Sequence, residues 1–410
     1  MKLEKAVLVI GLDWADRTHV CCLYRPDGTR QEAVKVAATP EAFGAWLEQV
    51  EQDHPQGEIV VAVERPDGAV VEMMRARVRW VVVAVNPVVL HRFRQAFAPS
   101  GAKDDPGDAA LLGEIVLTHA EKFTALPEQD ERLRQLAALV RQRRHWIDTR
   151  TGQVEQVIAV LKHYYPQALE LAGETVFSPM GLEFLQRWPD LVAAQKADWS
   201  TLEKFYRHHH SGREEVLARR RALWQHARSV SADHSYVGPS RLHMLAMVRQ
   251  LEALNASIAQ FDVAIAALYA AAPGREVIDS LPGVGEALAP RLWVACQQAG
   301  EKPTALDLAL ASGIAPVQQQ SGQSKQVAFR RARPRFLHQT WIEFATHSVA
   351  KCKWAAEYSA ARKKKGHGEH AIHRALAFKW TRIVARLWHD RIPYDESHYQ
   401  QHRAARLAPA

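Results

Sequence analysis

Four carboxylates, Asp13, Glu64, Asp105 and Asp108, punctuate the first third of this 410-residue chain. Asp13 closes the apolar run Ala6-Val7-Leu8-Val9-Ile10-Gly11-Leu12, and Glu64 closes Ile59-Val60-Val61-Ala62-Val63. Both runs read as buried strands. Asp105 and Asp108 lie three apart in Lys103-Asp104-Asp105-Pro106-Gly107-Asp108-Ala109, where a helix should begin, and carboxylates at that spacing share a helix face. Singly, each acid suits a turn or an N-cap. As a set at two strand ends and one helix start, they can converge as hard oxygen ligands for Mg²⁺, an ion that binds substrate phosphates through a few carboxylates. The chemistry this suits is metal-assisted phosphodiester cleavage.

A ribonuclease-H-like α/β fold would bring these acids together. Strands are expected at about 5–13, His19–Tyr24 and Ala33–Val36, with an Asp27-Gly28 hairpin signal between the last two. A helix over Pro40–Glu51, the Glu64 strand, a helix near 67–77 and the strand Trp80–Val85 follow. The middle of the chain reads as helical. Leu133, Val140, Ile147, Val154 and Leu161 recur every seventh residue, and Met244, Leu251, Ile258 and Ile265 alternate with Met247, Leu254, Phe261 and Leu268 in a full a/d heptad. An intramolecular antiparallel hairpin and an extended coiled coil that sets dimer geometry both satisfy that pattern. Between them, 170–235 is a mixed stretch, and its His208-His209-His210 reads as a solvated turn because three adjacent histidines cannot share one helix face. The resulting division is 1–125 (α/β, acidic), 126–272 (helical, with an insertion at 170–235) and 273–410 (basic and mostly helical).

Near the start of the last part, Leu281-Pro282-Gly283-Val284-Gly285 precedes a helical stretch and looks like a helix-hairpin-helix turn. Gly283 and Gly285 would then offer backbone N–H groups to a DNA phosphate without reading sequence. Two amphipathic helices, about 336–350 and 368–390, complete the chain, and most of Trp341, Trp354, Trp380 and Trp388 are expected in a core.

Charge sharpens the expectation. The chain carries a net +8, yet from Lys325 onward 18 Lys plus Arg face 6 Asp plus Glu, a local +12 that leaves the remainder at −4. Basic charge gathered in one part is the electrostatic footprint of phosphate-backbone binding. Arg330, Arg331, Arg333 and Lys325 are the densest candidates. The four cysteines, Cys21, Cys22, Cys296 and Cys352, form no Cys-x-x-Cys pair, so neither zinc nor a disulfide frame is expected. Met1-Lys2-Leu3-Glu4-Lys5 leads straight into the first strand, and no uninterrupted apolar run reaches the ~20 residues of a membrane span. A reducing cytoplasm fits.

Ahead of the arginines lies Gln318-Gln319-Gln320-Ser321-Gly322-Gln323-Ser324-Lys325, too polar for a core. On composition it is a flexible loop. Glycine after Ser321 lets backbone approach a phosphate, and serine becomes a nucleophile when a base or metal activates it. No base is evident in the loop, so a metal held by the acids is the candidate activator.

Taken in order, Gly11-Leu12-Asp13, Val63-Glu64-x-x-x-Gly68, Lys103-x-Asp105-x-x-Asp108-Ala109, Leu281-Pro282-Gly283-Val284-Gly285 and Ser312-Gly313-Ile314-Ala315-Pro316 with Ser321-Gly322 resemble the blocks of the insertion-sequence-110 family of transposases, relatives of the pilin-gene inverting recombinases. The resemblance spans nearly the whole chain. It implies a Holliday-junction-resolvase-like (RuvC-like) domain with an Asp-Glu-Asp-Asp tetrad at Asp13, Glu64, Asp105 and Asp108, a coiled coil, and a transposase domain with a nucleophilic serine at Ser321. Ser324 is the alternative nucleophile. It further implies Mg²⁺, donor and target DNA, a structured bridge RNA that chooses them, and a homodimer or homotetramer in which tetrad and serine from different subunits act together. The rival readings are a water-using junction nuclease and a non-catalytic nucleic-acid-binding regulator.

Overall fold

Apolar runs ended by turn residues become the strands of the first of two compact units, Met1–Gln129 and Asp130–Ala410. The computed structural model describes residues 1–97, 105–127, 130–321, 324–328, 330, 333–397 and 400, with backbone alone for 97, 105, 319–321 and 324–328. The first unit runs β1 (Ala6–Asp13), β2 (Thr18–Tyr24), β3 (Val34–Ala37), α1 (Pro40–Asp53), β4 (Glu58–Val63), α2 (Ala69–Arg75), β5 (Trp80–Ala84), α3 (Pro87–Phe97) and α4 (Asp105–Thr118). The strand order is β3-β2-β1-β4-β5. β1 pairs antiparallel with β2 and β2 with β3, whereas β4 runs parallel to β1 and β5 parallel to β4. This is a mixed α/β sheet with the hairpin-then-crossover order expected above.

β1 and β4 are buried on both faces, which is why each reads as a continuous apolar run. Leu8, Ile10, Leu12, Ile59, Val61 and Val63 pack with Phe43 and Leu47 of α1 and with Val70, Val71 and Met74 of α2. Val9, Val60 and Ala62 point the other way, toward Ala109, Ala110 and Leu112 of α4. The two-residue period of a strand therefore sorts the acids as well: Asp13 follows Val9 and Gly11 on the α4 face, and Glu64 follows Val60 and Ala62.

The second unit is mostly helical. Two long helices, α5 (Glu131–Tyr164) and α11 (His234–Ala270), enclose α6 (Ala168–Leu171), α7 (Pro179–Arg187), α8 (Leu191–Lys196), α9 (Trp199–His208) and α10 (Glu214–His226) in sequence. Then come α12 (Arg275–Asp279), α13 (Ala289–Gln298), α14 (Ala305–Ala311), β6 (Val317–Ser321), β7 (Ser324–Ala328), α15 (Arg335–Lys351), α16 (Lys353–Lys364) and α17 (Glu369–Asp390). α5 and α11 pack antiparallel, since Arg143 pairs with Asp262, Arg150 with Asn255 (3.0 Å) and Gln153 with Gln250. Met244, Leu251, Ile258 and Ile265 are buried within this hairpin, so the heptad is used inside one chain. By length and composition α11 is also apolar enough to cross a membrane, with a window of mean hydropathy 1.3. The expectation from uninterrupted apolar runs did not register it, because its apolar residues are spread at heptad spacing.

Two cores sit at the two ends of the hairpin. One joins α6–α10 to Val157 and Leu161 of α5 and to Met244, Val248 and Leu251 of α11. The stretch 170–235 is thus a helical subdomain with its own core. His208-His209-His210 ends α9 as the expected turn, with His209 Nε2 3.0 Å from Glu183. The other core joins Leu133, Leu136 and Val140 of α5 to the helices after α11, and in it Trp341, Trp354, Trp380 and Trp388 are all buried. Glu343 of α15 accepts from Arg144 of α5 (2.8 Å) and from the buried Arg291 of α13 (2.5 Å), fastening that core to the hairpin. All four cysteines are free and buried.

Candidate active site and nucleic-acid interface

Backbone contact between α4 and β1 sets the start of α4 against the C-terminal end of β1. A methyl group on Gly11 would stand 1.9 Å from the carbonyl oxygen of Ala109 and 2.4 Å from the amide of Gly113. Only glycine allows helix and strand to meet this closely. Asp13 lies two residues beyond Gly11, and Asp108 adjoins Ala109. The register sets Gly11 beside Ala62 and Leu12 beside Val63, and Asp13 and Glu64 are the residues that follow this last pair on the two strands. Beyond the strand ends, Arg65 stacks on Trp14 with its guanidinium 5.3 Å from the ring centre, joining the two turns that follow the acids. Tyr24 steadies α4 from β2, its hydroxyl donating to the carbonyl of Ala110 at 3.0 Å.

Asp13 and Glu64 are half-buried, and Asp108 is only 5 % exposed. Asp105 and Asp108 both lie in the first turn of α4, where the helix dipole favours negative charge; the side chain of Asp105 lies outside the described residues. A buried carboxylate needs a countercharge, and Asp108 has one. Arg94 of α3 donates from Nε to Asp108 Oδ1 at 2.8 Å, and its Nη2 pairs with the same oxygen. No periodicity or motif singled out Arg94.

Among the described residues, no group of three or more His, Cys, Asp or Glu is set to hold a metal ion. The donor chemistry nevertheless fits a hard divalent cation. Asp13 and Glu64 lead off the face that α4 covers, Asp108 is on α4, and all three are carboxylates, with Arg94 supplying the positive charge beside Asp108.

In the second unit, Ser321 ends β6 and pairs with Ser324, which begins β7. On either side of residues 322–323, which lie outside the described residues, the polar stretch expected as a flexible loop is therefore two antiparallel strands, β6 ending and β7 beginning at a serine. Their side chains, that of Lys325, and all of Arg331 lie outside the described residues. Ser312-Gly313-Ile314-Ala315 ends α14 and launches β6. Ser312 is buried at the helix C-cap, and the amides of Ile314 and Ala315 both donate to the Ala309 carbonyl, at 2.8 and 3.0 Å. Arg330 and Arg333 flank this turn, half-buried. Arg330 Nε reaches the Ala315 carbonyl at 3.5 Å, and Arg333 Nη1 donates to the Arg330 carbonyl at 2.9 Å. His338 lies nearby, its pKa lowered by burial and by the positive charge of Arg333.

The two glycines of the Leu281–Gly285 turn differ. Gly283, at φ +81°, is packed on α15, where a methyl would stand 2.8 Å from the His347 carbonyl carbon and oxygen. Gly285 faces open space, with nothing within 4 Å of a methyl, and α13 begins only at Ala289. Gly283 thus has a packing role, whereas the backbone at Gly285 is accessible.

Comparison with known proteins bears on both units. Residues 10–166 match a family model for the DEDD domain of IS110, described as a transposase, and residues 275–360 match a model described as the transposase IS116/IS110/IS902 family. The chain is 25% identical over 413 residues to the mini-circle putative transposase for IS117 of Streptomyces coelicolor, covering 98% of this chain and 97% of that protein. It is 30% identical over 191 residues to the putative transposase y4uE of Sinorhizobium fredii, covering 46% and 52% of the two chains. An insertion element IS110 protein of 43.6 kDa from Streptomyces coelicolor is 25% identical over 273 residues, 65% of this chain and 66% of that one.

Proposed function

Because the chain belongs to the IS110 family of transposases, we propose that it cuts and rejoins the donor and target DNA of a mobile element through a covalent serine–DNA intermediate. The observation that supports the reading is the contact of α4 with β1, which sets the start of α4 against the C-terminal ends of β1 and β4, the three elements whose ends carry Asp108, Asp13 and Glu64.

In this reading the Ser321 hydroxyl oxygen attacks the scissile phosphorus. A phosphorus–oxygen bond to serine forms, the bond to one sugar oxygen breaks, and the hydroxyl proton ends on that departing oxygen. The phosphodiester energy is kept in the phosphoserine, so a hydroxyl of the incoming strand can reverse the exchange with no outside energy source. Lys325, Arg330, Arg331 and Arg333 would clamp the phosphate and offset charge developing on it. Gly283 and Gly285 would lie along the DNA backbone, with Gly285 the better placed to approach a phosphate. Asp13, Glu64, Asp105 and Asp108 would hold Mg²⁺, which when bound supplies positive charge to the reacting phosphate. A structured bridge RNA from the element would select donor and target, and the working assembly would be a homodimer or homotetramer. Residues 1–125, 126–272 and 273–410 would serve as the resolvase-like, helical and transposase parts.

The test is a trapping experiment. Wild type, Ser321→Ala, Ser324→Ala and Asp13→Ala are each mixed with Mg²⁺, flanking RNA and labelled DNA, denatured and resolved on a gel. The expected result is a denaturation-resistant protein–DNA band lost in Ser321→Ala and Asp13→Ala but kept in Ser324→Ala. Free nicked DNA with no adduct from the wild type would overturn the serine step in favour of water.

A further inference from the structure

The subdomain α6–α10 takes no part in the chemistry above, yet it contains a cavity of about 810 Å³, within the size range of small-molecule sites. Arg220 of α10 forms part of its wall and is only 4 % exposed. Burial on this scale normally brings a carboxylate to a guanidinium. Among the described residues no carboxylate is in direct contact with Arg220, although the charges of Glu170 and Glu174 act on it from farther off: Nε points to the Glu170 carbonyl (3.4 Å), Nη1 to the carbonyl (3.4 Å) and hydroxyl (2.9 Å) of Ser211, and the guanidinium lies 4.3 Å from the centre of the Tyr206 ring. These direct partners are neutral, and among the described residues none is hydrogen-bonded to Nη2. Burial lowers the pKa of Arg220 in consequence.

The rest of the lining suggests what would relieve that charge. Arg213 and Arg219 add two guanidiniums at the rim. Arg219 is paired with Glu170 at 2.6 Å, while Arg213 is exposed at the N-cap of α10, where its side chain makes no capping bond. Glu174 is the remaining carboxylate, exposed at the same cavity. Leu169, Pro179 and Met180 supply an apolar wall.

We propose that this cavity binds a single nucleotide, its phosphate held by Arg220 Nη2 and Arg213 and its base against the apolar wall. A guanidinium suits a phosphate in geometry and charge. The shared chemistry is a nucleoside monophosphate, either free or within a single strand. The inference is independent of the serine reading above.

The full-length protein would be titrated by calorimetry with AMP, inorganic phosphate and a five-residue oligoribonucleotide lacking a terminal phosphate. Hydrogen exchange would follow residues 169–180 and 209–220. Saturable AMP binding that protects both segments is expected, tighter than that of inorganic phosphate. Arg213→Glu, at an exposed position, should weaken AMP by about 10-fold, the scale of one charge-assisted contact of ~1.5 kcal/mol. Tighter binding of the oligonucleotide than of AMP identifies a strand as the source, and binding of AMP alone identifies a free nucleotide. The proposal is overturned if wild type shows no saturable AMP binding, or if AMP binds equally to Arg213→Glu without protecting either segment. Arg220→Gln is read only where circular dichroism shows a folded protein, and Arg213→Glu keeps the test decisive where it is not.

Discussion

Replacing Gly11 with alanine tests whether the close seating of α4 on β1 positions the acidic residues. The added methyl would lie 1.9 Å from the Ala109 carbonyl oxygen, where a real Cβ stays at 3.0 Å or more, so the helix backbone must withdraw by the difference, about 1.1 Å. The clash is with backbone on two sides, Ala109 and Gly113, and no side-chain rotation relieves it. Overpacking of this kind costs about 1–3 kcal/mol, or at ~2–4 °C per kcal/mol a fall in Tm on the order of 2–12 °C. The catalytic consequence should be larger. Asp108 travels with Ala109, while Asp13 and Glu64 stay with the sheet, and a misplacement of about 1 Å can cost on the order of 100-fold in rate. Two readouts separate the effects: thermal denaturation, and the yield of covalent adduct measured well below the variant's Tm. Gly113→Ala is the graded comparison, since its methyl would first meet the Tyr24 ring at 2.6 Å and the Gly11 amide only at 3.1 Å; a smaller loss of adduct is expected. A Gly11→Ala protein with lowered Tm but undiminished adduct would refute the argument, because α4 would then have yielded without moving its acids.

Three further outcomes are expected. Arg94→Ala leaves the nearly buried Asp108 carboxylate without its guanidinium, a loss of about 3–5 kcal/mol, and millimolar Mg²⁺ should raise the Tm of this variant more than that of wild type; equal Mg²⁺ shifts in the two would argue against a cation site at Asp108. Burial lowers the pKa of His19 in the first unit and of His338 and His373 in the second, below the ordinary 6.5, so protons favour the unfolded chain: stability is fully present above pH 6.5 and falls as pH drops below it, a slope that denaturation midpoints from pH 8 to 5.5 should show and His19→Gln should flatten. Gly152→Ala, inside α5 with nothing within 4 Å of the new methyl, should stabilise by about 0.4–1 kcal/mol, visible as a higher Tm with unchanged adduct yield.

The parts of the fold that were legible in the sequence are those where burial and period coincide. β1 and β4 announce themselves because both faces are covered, and the acids that end them are visible for the same reason: each breaks an otherwise unbroken apolar run. The α5–α11 hairpin is legible in its spacing, but the spacing is identical for partner helices in one chain or two. Only cross-pairs such as Arg150–Asn255 identify the partner here. The β6–β7 hairpin was hidden for the opposite reason. Its pairing is carried by the backbone of Gln318–Ser321 against Ser324–Val327, and no apolar alternation marks residues whose side chains need not be buried. In α6–α10 the helices are short, 4 to 13 residues, too brief for a period to emerge. There Ser178 before Pro179 and Asp190 before Leu191 cap two of the helices, each accepting a backbone N–H three residues on, a signal too local to mark the subdomain.

Arg94 lies beyond any of these signals, and the reason is physical. A residue that neutralises a buried acid is specified by a contact across two helices, α3 and α4, rather than by spacing within one. Any arginine able to reach the start of α4 would satisfy the requirement. Gly11 stands between the two cases: its place beside Asp13 is plain in the sequence, but its necessity follows only from the carbonyl of Ala109 opposite. In the proposed reading, the residues that would hold a cation for the reacting phosphate are acids at strand and helix ends, and so can be read one chain segment at a time. Residues that hold those acids in place depend on pairs of segments, and they become evident when α4 is seen resting on β1 with no room for a methyl group between them.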